Sequence, residues 1–142
     1  MICAATMTRR SKRNLTHTEA RDLDIEIGFL AGLTRRDPAY VEALQLLGDA
    51  YSRRGRFNDS LKVDQQVARL RPEDPRALYN LACSLALNDN AEGAYDALNR
   101  ALDAGYRDFR WLARDPDLAA FRKHPLYRRL RARLKALRDA VA

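Results

Sequence analysis

Apolar residues recur along this chain at intervals of three and four, the spacing of helices with one buried face. Leu23, Ile27, Leu30 and Thr34 line one face of a leading helix, with Phe29 and Leu33 beside them. Thr16 and Glu19 fit a capping box at its start. Asp37-Pro38 ends it near Arg36, because the residue before a proline is pushed out of the helical region. Leu44, Leu47 and Tyr51 form the stripe of a second helix, about 39–53, with Pro38 suited to its first turn. Gly55 makes the turn, and Phe57, Leu61, Val67 and Leu70 are the expected buried positions of a helix over 57–70. A further pair follows at about 75–88 and 91–104, joined by Asn88-Asp89-Asn90, residues that tolerate left-handed backbone.

These helices repeat. Leu44, Leu47, Gly48, Tyr51, Ser60, Val67 and Pro72 recur 34 residues later as Leu78, Leu81, Ala82, Leu85, Ala94, Ala101 and Tyr106. A fixed period holding two helical patterns means stacked helical hairpins. The copies are 41–74 and 75–108. Pro38 lies 34 residues before Pro72, so the leading helix, 16–37, fills the second-helix slot of a truncated earlier copy. After Asp108 the period fails. A short helix over Phe109–Ala113 is interrupted at Asp115-Pro116, another is expected over 116–122, and Pro125 opens a last one to about Asp139. Leu126, Leu130, Leu134, Leu137 and Val141 keep helical spacing there, so residues 109–142 read as a divergent cap, apolar inside and polar outside. The expected fold is all-α, a right-handed superhelical stack of antiparallel hairpins. It forms one domain over 16–142 behind a disordered basic tail, 1–15.

Charge changes this picture at the ends. The net charge is +7. Residues 1–20 hold four basic groups against one acidic, and residues 120–142 hold eight against one, while the middle is mildly acidic. No run approaches the roughly 18 apolar residues of a membrane span, and the first seven residues are too short for a secretory signal. A cytoplasmic address is expected. Cys3 and Cys83 indicate no disulfide framework, and two Cys and two His without ligand spacing indicate no metal site. The six glycines are scattered, so no phosphate-cradling loop exists and no cofactor is implied. His17 and His124 have no arrangement of nucleophile or carboxylate around them that would argue for catalysis, and an enzyme is not expected. Trp111 and Phe109 read as packing at the start of the cap.

Leu44, Leu47-Gly48, Tyr51, Gly55 and Pro72, with Leu78, Leu81-Ala82, Ala94 and Ala101, resemble the tetratricopeptide repeat (TPR) family. Tyr79–Ser84, Gly105–Phe109 and Asp115–Leu118 are similar to the closing segment of many bacterial members. Departures are Leu44 for the commoner Trp, Ser60 for Ala, and Asp64 where a large apolar residue is usual. The resemblance implies a scaffold for protein–protein contacts, with the first helix of each repeat lining a concave groove. Matched residue by residue, the groove positions are Glu42, Gln45, Leu46, Asp49, Ser52 and Arg53, then Arg76, Tyr79, Asn80, Cys83 and Leu87. Such a surface suits a peptide in extended or helical form. The clamp by which some members hold a C-terminal carboxylate is not matched, since Asp49 would repel it.

Asp64, at a buried slot, reads as a structural carboxylate paired with Arg71, Arg76 or Asn80, because a buried charge is costly unless partnered. Arg128, Arg129, Arg131, Arg133 and Lys135 on the last helix have three readings. They are a solvated face, a contact for an acidic partner protein, or, together with the basic tail, a site for nucleic acid, an anionic membrane or another polyanion, with the apolar stripe's use in capping arguing against membrane insertion. Only Tyr127 is near enough to stack on bases. The leading helix, lacking its hairpin partner, offers an apolar face for self-association.

Overall fold

The computed structural model describes residues 14–141, with the side chain of residue 141 left aside. Most of the expected basic tail, together with Cys3, lies outside the described residues. The described chain is all-α, helices packed as sequential antiparallel pairs, with no strand among the described residues. It divides into two units, one ending at Pro72 and one beginning at Glu73.

The first unit contains α1 (His17–Arg36), α2 (Val41–Arg54) and α3 (Phe57–Leu70). The capping box forms as expected. The Glu19 amide donates to Thr16 Oγ1 at 3.1 Å, and the Thr16 amide donates to Glu19 Oε2 at 2.9 Å. Leu23, Ile27 and Leu30 are buried against α2, and Arg54 Nε donates to Asp24 Oδ1 at 2.8 Å along the same contact. Pro38 does not begin α2. Asp37 turns the chain first, its Oδ1 accepting from the Ala39 amide at 3.2 Å, so the helix starts at Val41. Gly55 closes α2 with φ 85°, a left-handed conformation that a side chain would strain.

In α3 the buried stripe is Ser60, Val63, Asp64, Val67 and Ala68. It is rotated from the expected one, so Phe57 and Leu61 are half-buried and Leu70 is exposed. Ser60 explains its own departure from alanine. Its hydroxyl donates to the Gly48 carbonyl at 3.0 Å and lies 2.8 Å from the Ser52 hydroxyl, tying α3 to α2 through buried polar groups.

The second unit contains α4 (Pro75–Leu87), α5 (Ala91–Asp103), α6 (Phe109–Leu112) and α7 (Pro125–Val141). Asp74 caps α4, accepting from the Arg76 amide at 2.9 Å. Asp89 takes φ 60° in the turn, and Asn90 Oδ1 accepts from the Gly93 amide at 2.8 Å. The buried face of α5 is Ala94, Ala97, Leu98, Ala101 and Leu102, and its three alanines let the helix pack closely against its neighbours.

The helix expected over 116–122 is instead two 3₁₀ turns, Pro116–Leu118 and Phe121–Lys123. Asp115 is held extended before Pro116, and the local carbonyls are taken by i+3 amides and by Arg122, whose Nη1 donates to Leu112 O at 3.2 Å and Asp115 O at 2.7 Å. A continuous helix would need those carbonyls for i+4 bonds. Leu118 and Phe121 are thereby buried. On α7, Leu130 and Leu134 are buried, and Leu126 and Leu137 half-buried. His124 contributes to its start, Nδ1 accepting from the Leu126 amide at 3.1 Å. No helix among the described residues is long and apolar enough to cross a membrane.

Candidate functional site: two corresponding helix faces and a basic helix

Three surfaces carry the residues singled out from the sequence. The first is the outward face of α2. Glu42, Gln45, Leu46, Asp49 and Arg53 recur at helical spacing opposite the buried Leu44 and Leu47. Leu46 is 56% exposed, Glu42 is exposed, and Gln45, Asp49 and Arg53 are half-buried. Ser52, at the edge of this face, is turned inward to Ser60. A large apolar side chain thus shares a stripe with charged groups of both signs, Glu42, Asp49 and Arg53.

The second surface is the same set of slots on α4, and it is not open. Arg76 is exposed, but Tyr79 and Cys83 are both 0% exposed and Asn80 is buried. Contrary to the expected groove, these three do not face solvent. The Pro116–Leu118 turn packs against α4 there. The Tyr79 hydroxyl donates to Asp115 Oδ2 at 2.6 Å, and the Cys83 thiol donates to the same oxygen at 3.6 Å. Asp115 Oδ1 accepts from the Asp117 amide at 3.0 Å. The Tyr106 ring stacks on the Tyr79 ring, with centroids 4.4 Å apart and planes 3° from parallel. Burial, then the neighbouring thiol and carboxylate, pushes the Tyr79 hydroxyl pKa far up; burial does the same to Tyr106.

Asp115 is the residue that sequence reasoning missed. It read as a helix breaker, whereas it is a buried carboxylate accepting from three donors. A signal for it existed. Tyr79 and Cys83 stand where the first copy has Gln45 and Asp49, and an aromatic and a thiol in polar slots point to burial. Cys83, Asp115 and Asp117 bring three ligand-type atoms within 4.8 Å. Asp115 already has both oxygens in hydrogen bonds, so the cluster accounts for itself as internal packing.

The third surface is α7. Arg133 is committed inside the unit, its Nη1 donating to Asn99 Oδ1 at 2.7 Å and to Asn99 O at 3.2 Å, with Nη2 bonded to Asp103. These bonds answer carbonyl groups and negative charge near the C-terminal end of α5. The Arg129 guanidinium sits over the Tyr95 ring, 5.4 Å from its centroid. Arg128, Arg131 and Lys135 remain exposed and share one stripe with Arg138. Asp64 is buried on α3.

No protein-family model matches the chain. A curated relative, a chloroplastic protein of Arabidopsis thaliana, is 33% identical over 121 residues. That match covers 80% of this chain but 35% of the relative, so the chain spans about a third of that protein's length. The chain is therefore an all-helical protein of paired helices with distant homology to that Arabidopsis chloroplastic protein.

Proposed function

We propose that this chain is a non-catalytic protein-binding module of the tetratricopeptide kind, and that its docking face is the outward side of α2. The observation that carries the proposal is Leu46, an exposed apolar anchor on one helix stripe with Glu42, Asp49 and Arg53. Binding energy at protein interfaces concentrates in a few such anchors surrounded by polar groups that exclude water and set orientation. The 34-residue repeat and its family resemblance support the same reading. The fitting partner is a helical or extended segment with an apolar side chain for Leu46 and charges complementary to Glu42 and Arg53. In the second unit the matching face is filled by the chain's own Asp115–Leu118 segment, so the proposed site excludes Tyr79, Asn80 and Cys83. The compartment proposed from the sequence, the cytoplasm, stands beside a relative whose name places it in the chloroplast.

Co-purification from the native cell tests this, comparing the wild-type protein with Leu46→Glu and Arg53→Glu, and with Arg76→Glu as a control on α4. The expected result is loss of the same partners from both α2 variants and their retention by the control. Identical partners in all four preparations would overturn the assignment.

A second reading is favoured by the stripe of Arg128, Arg131, Lys135 and Arg138, which would attract a polyanion. Retardation of duplex DNA or RNA at low salt, abolished by Arg128→Glu with Arg131→Glu, would support it. No retardation at low salt would remove it.

A further inference from the structure

The buried face of α1 is spent on α2, yet its opposite face is also apolar. Ile25 is 65% exposed and Phe29 66% exposed, and Gly28 and Gly32 lie beside them on the same stripe. Residues 25, 28, 29 and 32 have the i, i+3, i+4, i+7 spacing of four neighbours around one hole on a helix surface. The glycines have no internal explanation. A Cβ at Gly28 would meet nothing within 4 Å, and one at Gly32 would meet only the Arg35 guanidinium at 3.8 Å. Each glycine in a helix interior costs roughly 0.5–1 kcal/mol relative to alanine. Packing among the described residues gives nothing back for that cost.

We propose that this face pairs with α1 of a second copy of the chain, antiparallel, about a two-fold axis passing near Phe29. Two features of the face select a second copy as the occupant. The surface is self-complementary in shape: on an axis near Phe29 the two phenyl groups meet each other, and bare Gly28 and Gly32 beside them let the two helix backbones approach closely. A two-fold interface requires each patch to match itself, residue i meeting j and j meeting i. Charge is self-complementary as well. In the antiparallel register centred on Phe29, exposed Asp22 comes opposite exposed Arg36 of the second copy. Symmetry makes this pair twice, and the helix dipoles oppose favourably. A parallel pairing would set Asp22 against Asp22 and Arg36 against Arg36. Asp24, bonded to Arg54 within the chain, lies on the flank and takes no part.

Sedimentation equilibrium of the full chain over a range of concentrations tests the proposal. The expected result is a weight-average mass rising from the 16.2 kDa of one chain toward twice that value. Phe29→Asp, at a site exposed in the single chain, is expected to keep the circular dichroism spectrum and weaken dimerisation on the order of a hundredfold or more, since two phenyl groups lose their burial. Asp22→Arg alone is expected to weaken it several-fold, and combination with Arg36→Asp to restore it. Gly28→Ala separates the two roles of the glycine: it is expected to raise the melting temperature of the monomer while weakening the dimer. A monomer at every concentration overturns the proposal and leaves the face to residues 1–13 or to a foreign protein. A dimer that Phe29→Asp does not weaken, or a charge swap that fails to restore it, overturns it equally.

Discussion

The outward faces of α2 and α4 occupy the same slots of the same repeat, and they have opposite fates. On α2 the slots hold Glu42 and Leu46, which are exposed, with Gln45, Asp49 and Arg53 half-buried. On α4 they hold Arg76, Tyr79, Asn80, Cys83 and Leu87, and the chain's own Asp115–Leu118 segment covers the middle of it. The backbone does not distinguish them; both are helices of similar length, each backed by the second helix of its own hairpin. What differs is the chemistry of the slots. Amide and charged groups stay hydrated cheaply, whereas an aromatic hydroxyl and a thiol can be buried when one acceptor serves both. A repeat therefore preserves a position in space without preserving its exposure, and the function of a slot has to be read from its side chain.

The sharpest break in the comparison is expected from Asp115→Ala. It removes the one carboxylate that the Tyr79 hydroxyl, the Cys83 thiol and the Asp117 amide share inside the second unit. The expected loss is about 3 kcal/mol of unfolding free energy in urea, since unmet buried donors each cost about 1–3 kcal/mol. Tyr79→Phe is the milder form of the same test. It removes one donor and leaves the carboxylate with the other two, for an expected loss of about 1.5 kcal/mol.

Alkaline pH probes the same cluster with a definite sign. Tyr79 and Tyr106 have their pKa values raised by burial. Each favours the folded state fully below the ordinary tyrosine pKa of about 10, and that contribution is lost as pH rises above it. Stability is expected to fall by roughly 1.4 kcal/mol per pH unit above 10 for each tyrosine, and Tyr79→Phe should flatten the slope by one such increment. A melting temperature that holds level from pH 9 to pH 11 would contradict the burial of both hydroxyls. The smallest effect belongs to the open face. Leu46→Glu is expected to change the unfolding free energy by no more than about 0.5 kcal/mol, because the side chain already stands in water.

Much of this fold was legible in the sequence because its signals are local. The Thr16–Glu19 box, the Gly55 turn and the 34-residue period each depend on neighbours a few residues away or on simple recurrence. The leading helix, both hairpins and the last helix follow from them to within two or three residues at each end. The errors arose where distant groups decide. Asp115-Pro116 looks the same in sequence whether it merely ends a helix or delivers a carboxylate to Tyr79, 36 residues earlier. Arg133 looks like its exposed neighbours until Asn99 and Asp103 are placed beside it. Leu70 is spaced like a core residue, yet the rotation of the buried stripe leaves it exposed. The exposure of the expected groove positions was therefore not legible: the burial of Tyr79, Asn80 and Cys83 follows from the Asp115–Leu118 segment.

The most direct test of that difference is thiol labelling. In a Cys3→Ser background, Leu46→Cys places a thiol at the exposed slot of α2, and natural Cys83 reports on the covered face of α4. Both are exposed to one maleimide reagent in the folded protein, and labelling is followed by mass spectrometry of the separated peptides. Rapid modification is expected at position 46, with Cys83 slower by orders of magnitude until denaturant is added. Similar rates at the two positions in the folded protein would contradict the covering of α4 by the Asp115–Leu118 segment.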